Sequence, residues 1–294
     1  MRRDCDAASS VVIGFVILLM LVALGIGIWA LISVPDMVKE AESTHAIELS
    51  NTFLDLKLSA DKVRVNNFEG ARFSMLMPGS SGMSGTTISF TEDTGIVHME
   101  WSGGEGLVLS PKKWTLDRIS AQVGGTRGMT VIGYEGGGVF RSDNGNAVWL
   151  TPGLLEIYPD ESETKNNTVR VDLVVVNLTG EASVSSNWGV PLDCLYVGSK
   201  DDYTFATAQN RTLTISLDGG QKDLWYSLFA EAKSRYDLAK IEYQKTHPNF
   251  KIDIEVSNEP NPQLKIGNGI DEWVKVYIRE ATYDVSLVNR YEES

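Results

Sequence analysis

The sequence predicts an α+β fold: an N-terminal transmembrane helix continuing into an amphipathic helix, followed by a β-rich extracytoplasmic domain with one further helix. Three observations predict it. Residues 11–34 form an apolar run without a charge, residues 35–60 keep apolar side chains at helical spacing, and from residue 61 short stretches alternate with period two between glycine-rich turns. The chain of 294 residues suits one larger or two modest domains.

The first element is the run from Val11 to Val34, 24 residues long. At about 1.5 Å per residue a helix of that length reaches roughly 36 Å, more than the ~30 Å of hydrocarbon in a bilayer. A cleaved secretory signal is the competing reading, but its apolar core is usually about 7–15 residues and ends in a small-x-small cleavage site. Leu31-Ile32-Ser33 before Val34-Pro35 offers no such site. Arg2 and Arg3 precede the run, and the first positive charge after it, Lys39, is followed by Glu40 and Glu42. The positive-inside bias then makes residues 1–10 a cytoplasmic leader and places residues from Pro35 onward outside, in a single-pass protein of the cell membrane with the lipid bilayer as partner.

The next element follows Pro35, which disfavours helix for Val34 but suits the first turn of a new one, so a kink or brief break is expected there. Helix resumes to about Ala60, because Val38, Ala41, His45, Leu49, Phe53 and Leu56 fall three and four residues apart. The domain over 61–294 begins with strands, and its clearest hairpin is "VFRSDNGNAVWL", where Asn144-Gly145 supplies the positive backbone angles of a tight turn. "VRVDLVVVNL" reads as a strand too, nearly continuous and therefore central, and "RTLTISL" as another. A helix over 222–246 places Trp225, Phe229, Ala232, Tyr236, Ala239 and Tyr243 on one face, bracketed by Gly219-Gly220 and Pro248. "FKIDIEVS" and "WVKVYIREATYDVSLV" supply the closing strands.

Charge narrows the partners. Arg2 and Arg3 balance Asp4 and Asp6 within residues 1–34, so the whole net charge of −13 sits on the outer domain. That surface repels nucleic acid and anionic headgroups, although plain solubility is the simpler reason for it. Asn166, Asn177 and Asn210 each open an N-glycosylation sequon within the stretch assigned to the outside, the pattern of a glycoprotein. Cys5 and Cys194 are separated by the expected span, so Cys194 reads as a small buried apolar residue, with an intermolecular bridge as the alternative.

The chain offers little material for catalysis. His45, His98 and His247 are widely spaced, which leaves no basis for a histidine zinc site or a Ser-His-Asp triad. "GGTRG" and "YEGGGVF" lack the spacing and the lysine of a phosphate cradle and read as turns. Asp160, Glu161 and Glu163, and separately Asp201 and Asp202, are oxygen-rich but match no dedicated calcium loop, so solvated loops are the simpler reading. No catalytic residue, cofactor or metal site is assigned.

"AASSVVIGFVILL", small residues leading directly into the apolar run, resembles the leader-to-helix junction of archaeal type IV pilins and pilin-like proteins. "VIGYEGGGVFRSDNG" is similar to a hairpin of uncharacterised archaeal pilin-like membrane proteins. The resemblance covers about the first 60 residues. It implies a prepilin-type peptidase and other pilin-like subunits as partners, with removal of the leader somewhere between residues 5 and 11. Ser10 and Gly14, and Ala23 and Gly27, sit four apart and would permit close helix packing. The reading is a membrane-anchored pilin-like cell-surface protein, structural or adhesive, such as a minor pilin. An anchored binding or sensing module that never assembles is the alternative, and a tethered hydrolase ranks below both.

Overall fold

Period-two alternation governs most of the chain after residue 71, and the strands it forms collect into two sheets. The structure, a computed structural model, describes residues 3–79, 86–103, 111–125, 128–160, 167–180, 183–186, 188–206, 211–267 and 272–287. Helix α1 (Arg3–Val65) comes first. Strands β1 (Arg72–Met77), β2 (Thr86–Gly103), β3 (Lys112–Gly125), β4 (Gly128–Glu135), β5 (Gly138–Asp143), β6 (Asn146–Thr151) and β7 (Leu155–Pro159) follow. Next are β8 (Asn167–Gly180), β9 (Ser183–Ser186), β10 (Val190–Ala206) and β11 (Arg211–Gly219). Helix α2 (Lys222–Gln244) precedes β12 (Ile254–Ser257), β13 (Gln263–Ile266) and β14 (Glu272–Leu287).

One sheet has the order β1-β10-β14-β8-β7, the other β12-β13-β11-β2-β3-β4-β5-β6 with β9 on β2. Every pairing is antiparallel except β14 with β8, which runs parallel from Glu272 opposite Asn167 to Val285 opposite Gly180. The valine-rich run of β8 is thus paired on both sides, by β14 and β7.

The long strands change the face they bury partway along. On β8, Val169, Val171, Leu173 and Val175 enter one core, whereas Val176 and Leu178 enter a second. Successive strand residues face opposite ways, so the switch from odd to even positions moves burial to the other side of the sheet. The same switch falls between Ile278 and Ala281 on β14 and between Leu116 and Ile119 on β3.

Each core takes one helix. Leu228, Phe229, Ala232 and Tyr236 of α2 fill the first, and the Tyr236 hydroxyl donates to the carbonyl of Ile252 at 2.8 Å. Ala239, which the periodicity also placed on that face, is half-buried. Leu49, Phe53, Leu56 and Ala60 of α1 fill the second, at the three- and four-residue spacing of a helix stripe. That stripe begins at His45: Val38 is only half-buried and Ala41 is exposed.

The turns follow their residues. Asn144 and Gly145 join β5 to β6 with φ of 53° and 89°, the positive pair a two-residue hairpin turn requires. Between β4 and β5 the Gly136 carbonyl lies 2.5 Å from where a Cβ on Gly153 would stand, so the loop before β7 approaches that turn closer than any side chain allows. Phe250 and Ile252 are buried in the first core without joining a strand; only the second half of "FKIDIEVS" pairs.

Several expectations are corrected. The fold is not the α+β arrangement with a membrane span but a mostly β structure of two sheets, with two helices among the described residues. Among those residues no helix is long and apolar enough to cross a membrane. The transmembrane helix over 11–34, the single-pass anchor, the cytoplasmic N-terminus and the extracytoplasmic placement of the rest therefore find no support. Nor does the helix break at Pro35, since α1 is continuous from Arg3 to Val65. A proline removes one backbone hydrogen bond, and a helix of 63 residues keeps propagating on either side of that loss.

Candidate functional site

Two features stand out from the packed body. The first is the N-terminal half of α1. From Phe15 to Leu31, thirteen large apolar side chains stand 44–78% exposed among the described residues. They occupy nearly every position and so surround the helix. Ala23 and Gly27 are exposed, and nothing lies within 4 Å of the space a Cβ on Gly27 would fill. Ser10 and Gly14, the other proposed packing residues, have side chains outside the described set.

The second is a groove where α1 ends against the five-stranded sheet. Ahead of the face switch, the side of β8 turned away from the first core carries Arg170, Asp172 and Val174 in strict alternation, and β14 adds Tyr277 and Arg279. The Arg170 guanidinium lies over the Tyr277 ring at 3.9 Å from its centroid and 5.7 Å from that of Tyr158 on β7. Its Nε donates to Asp172 at 2.8 Å, and the Tyr158 hydroxyl donates to the same carboxylate at 2.9 Å. Partial burial, followed by that hydrogen bond, pushes Tyr158 up to about 12. Arg279 grips Asp201 of β10 through Nε and Nη2 at 2.5 and 2.9 Å, which lowers the Asp201 carboxyl below its ordinary range.

Arg64, in the last turn of α1, borders this cavity of about 280 Å³ and an adjoining one of about 250 Å³. Leu154 and Val174 also line both, so the two form one groove. The Arg64 side chain is 8% exposed; its Nη2 donates to Asp61 at 3.1 Å, and its Nε is buried with no hydrogen-bond partner. The second cavity is further lined by Lys57, Asp61 and Arg235.

The residues singled out in the sequence do not gather here. Asn177 lies half-buried on β8 opposite Thr282, while Asn166 and Asn210 fall outside the described residues. His45 is buried beside Thr86 at 2.6 Å, His247 stacks on Tyr243 at 4.0 Å, and His98 sits on β2, so the three remain apart. Among the described residues no group of His, Cys, Asp or Glu is placed to hold a metal. Asp160 is not part of a solvated loop: it is buried and bonded to Lys275 of β14 at 2.9 Å. Glu161 and Glu163, with the side chain of Asp202, fall outside the described set. Cys194 is a free thiol in the second core.

The groove residues were missed in the sequence because they come from four strands and two helices. Only "RVDLV", with two opposite charges two apart on a strand face, gave a local sign. Comparison with protein-family models, with curated proteins and with solved structures found no match.

Proposed function

We propose that this chain is a structural subunit of pilin-like type that assembles with other copies through α1, displaying its β-rich body on the outside of the assembly. The observation that carries this reading is the exposed apolar rod over residues 15–31. Scattered exposed apolar side chains are ordinary, but a contiguous patch above a few hundred Å² marks an interaction surface. Half to three-quarters exposure corresponds to roughly 70 Å² per side chain, or about 900 Å² in all, comparable with the ~800 Å² each partner contributes to a standard interface. A helix apolar on every side also needs neighbours on every side, which a bundle of several copies supplies and a single partner does not.

The experiment is to purify the full chain and its Leu18→Glu, Val22→Glu variant, then compare them by light scattering and negative-stain electron microscopy. Ordered assemblies of uniform width for the native chain, and monomers for the variant, are expected. A native chain that stays monomeric, or that gives only shapeless aggregate, overturns the reading.

A further inference from the structure

We infer that the groove at the end of α1 is a binding site for a carboxylate carried on an apolar stem, an assignment independent of the assembly reading. Charge is the first reason. On a chain of net charge −13, the groove collects Lys57, Arg64, Arg170, Arg235 and Arg279. Against these five cations stand the carboxylates of Asp61, Asp172 and Asp201, so the lining is positive by two where the protein as a whole is strongly negative.

Shape and preorganisation are the second. The guanidinium of Arg170 is held flat by Tyr277 and Tyr158 and fixed through Nε by Asp172. Much of the entropy of orienting its fork is thereby lost before any ligand arrives, and a planar guanidinium can pair with a carboxylate through two parallel hydrogen bonds while it repels a cation; the preference over inorganic phosphate comes from the apolar lining. The bridge to Asp201 is not a barrier. Asp201 is 64% and Arg279 42% exposed, and an ion pair this open holds its partners weakly, so a ligand oxygen can share that cation.

The third reason is the apolar part of the lining. Leu154 and Val174 stand beside the charged groups, which makes room for a short stem while the charge stays at the rim. Together the two cavities reach the lower end of ordinary small-ligand sites. Arg64, with a buried Nε lacking a partner, sits where they meet.

The test is calorimetric titration of the full chain with hexanoate, hexylammonium, acetate and inorganic phosphate, at low and at high salt. One hexanoate per chain is expected, at least tenfold tighter than acetate or phosphate, weakened by salt, with no hexylammonium bound at the groove. Arg170→Gln and Arg279→Gln should each weaken hexanoate about tenfold or more. Arg170→Lys, which keeps the charge and the fold but loses the planar fork, should fall most of the way with them. The Leu18→Glu, Val22→Glu variant should bind hexanoate unchanged, which separates this site from the exposed helix. No saturable binding, equal affinity for hexylammonium, phosphate binding as tightly as hexanoate, or folded arginine variants that bind as well as the native chain would each overturn the assignment.

Discussion

The hydroxyl of Tyr283, on the strand β14, donates to the carbonyl of Ala60 in α1 at 2.7 Å, across 223 positions of sequence. It ties the helix to the five-stranded sheet at the point where the second core closes, beside the rings of Phe73 and Tyr196.

Removing that hydroxyl with Tyr283→Phe should cost about 1 kcal/mol, the usual net worth of a neutral buried hydrogen bond. Phe53→Ala, which empties space in the same core under α1, should cost about 3–5 kcal/mol. Urea unfolding of both variants, with unchanged slopes, checks the ranking.

His45 gives the stability a pH dependence of known sign. Burial lowers its pKa below 6.5, and Glu48 offsets part of that shift. Protonation is therefore harder in the folded than in the unfolded chain, so the contribution is complete above pH 6.5 and is lost as the pH falls from there through the lower folded value. Denaturation at pH 7.5 and at pH 5.5 should show a loss that His45→Gln removes.

Cys194 should resist alkylation. Burial pushes its thiol up to about 12, leaving almost no thiolate at pH 8. Iodoacetamide should label the unfolded chain at this position and leave the folded one unlabelled; rapid labelling under native conditions would contradict its place in the core.

Two glycine variants should separate strain from collision. Gly145→Ala meets open space and pays only for a positive φ, about 1–2 kcal/mol. Gly153→Val must displace the Gly136 backbone and should cost clearly more, read as a lower denaturation midpoint.

What the sequence disclosed was local. The apolar stripe Leu49, Phe53, Leu56 and the face of α2 are read from 3.6-residue periodicity, and the β5–β6 turn from Asn144-Gly145, because in each the interacting residues are near neighbours. What it hid was non-local. The parallel pairing of β8 with β14 joins residues about a hundred apart, and the alternation switch at Val175 and Val176 blurs the period-two signal just where burial moves across the sheet. Hydrophobicity over 11–34 announced a surface that needs covering, but could not say what covers it, and the expectation of lipid went beyond that. The groove arginines carry no periodic signature at all; Asp201 and Arg279 meet only because β10 and β14 are adjacent.

The insertion of β14 between β10 and β8 sets the order of events during synthesis. Until the ribosome has released residues 272–287, the nascent chain holds β10 and β8 as two open edges that nothing bridges, each able to recruit a strand from a neighbouring polypeptide. Closure of the five-stranded sheet thus waits for its last strand, and a product shortened before Glu272 should partition to inclusion bodies rather than to a smaller native form.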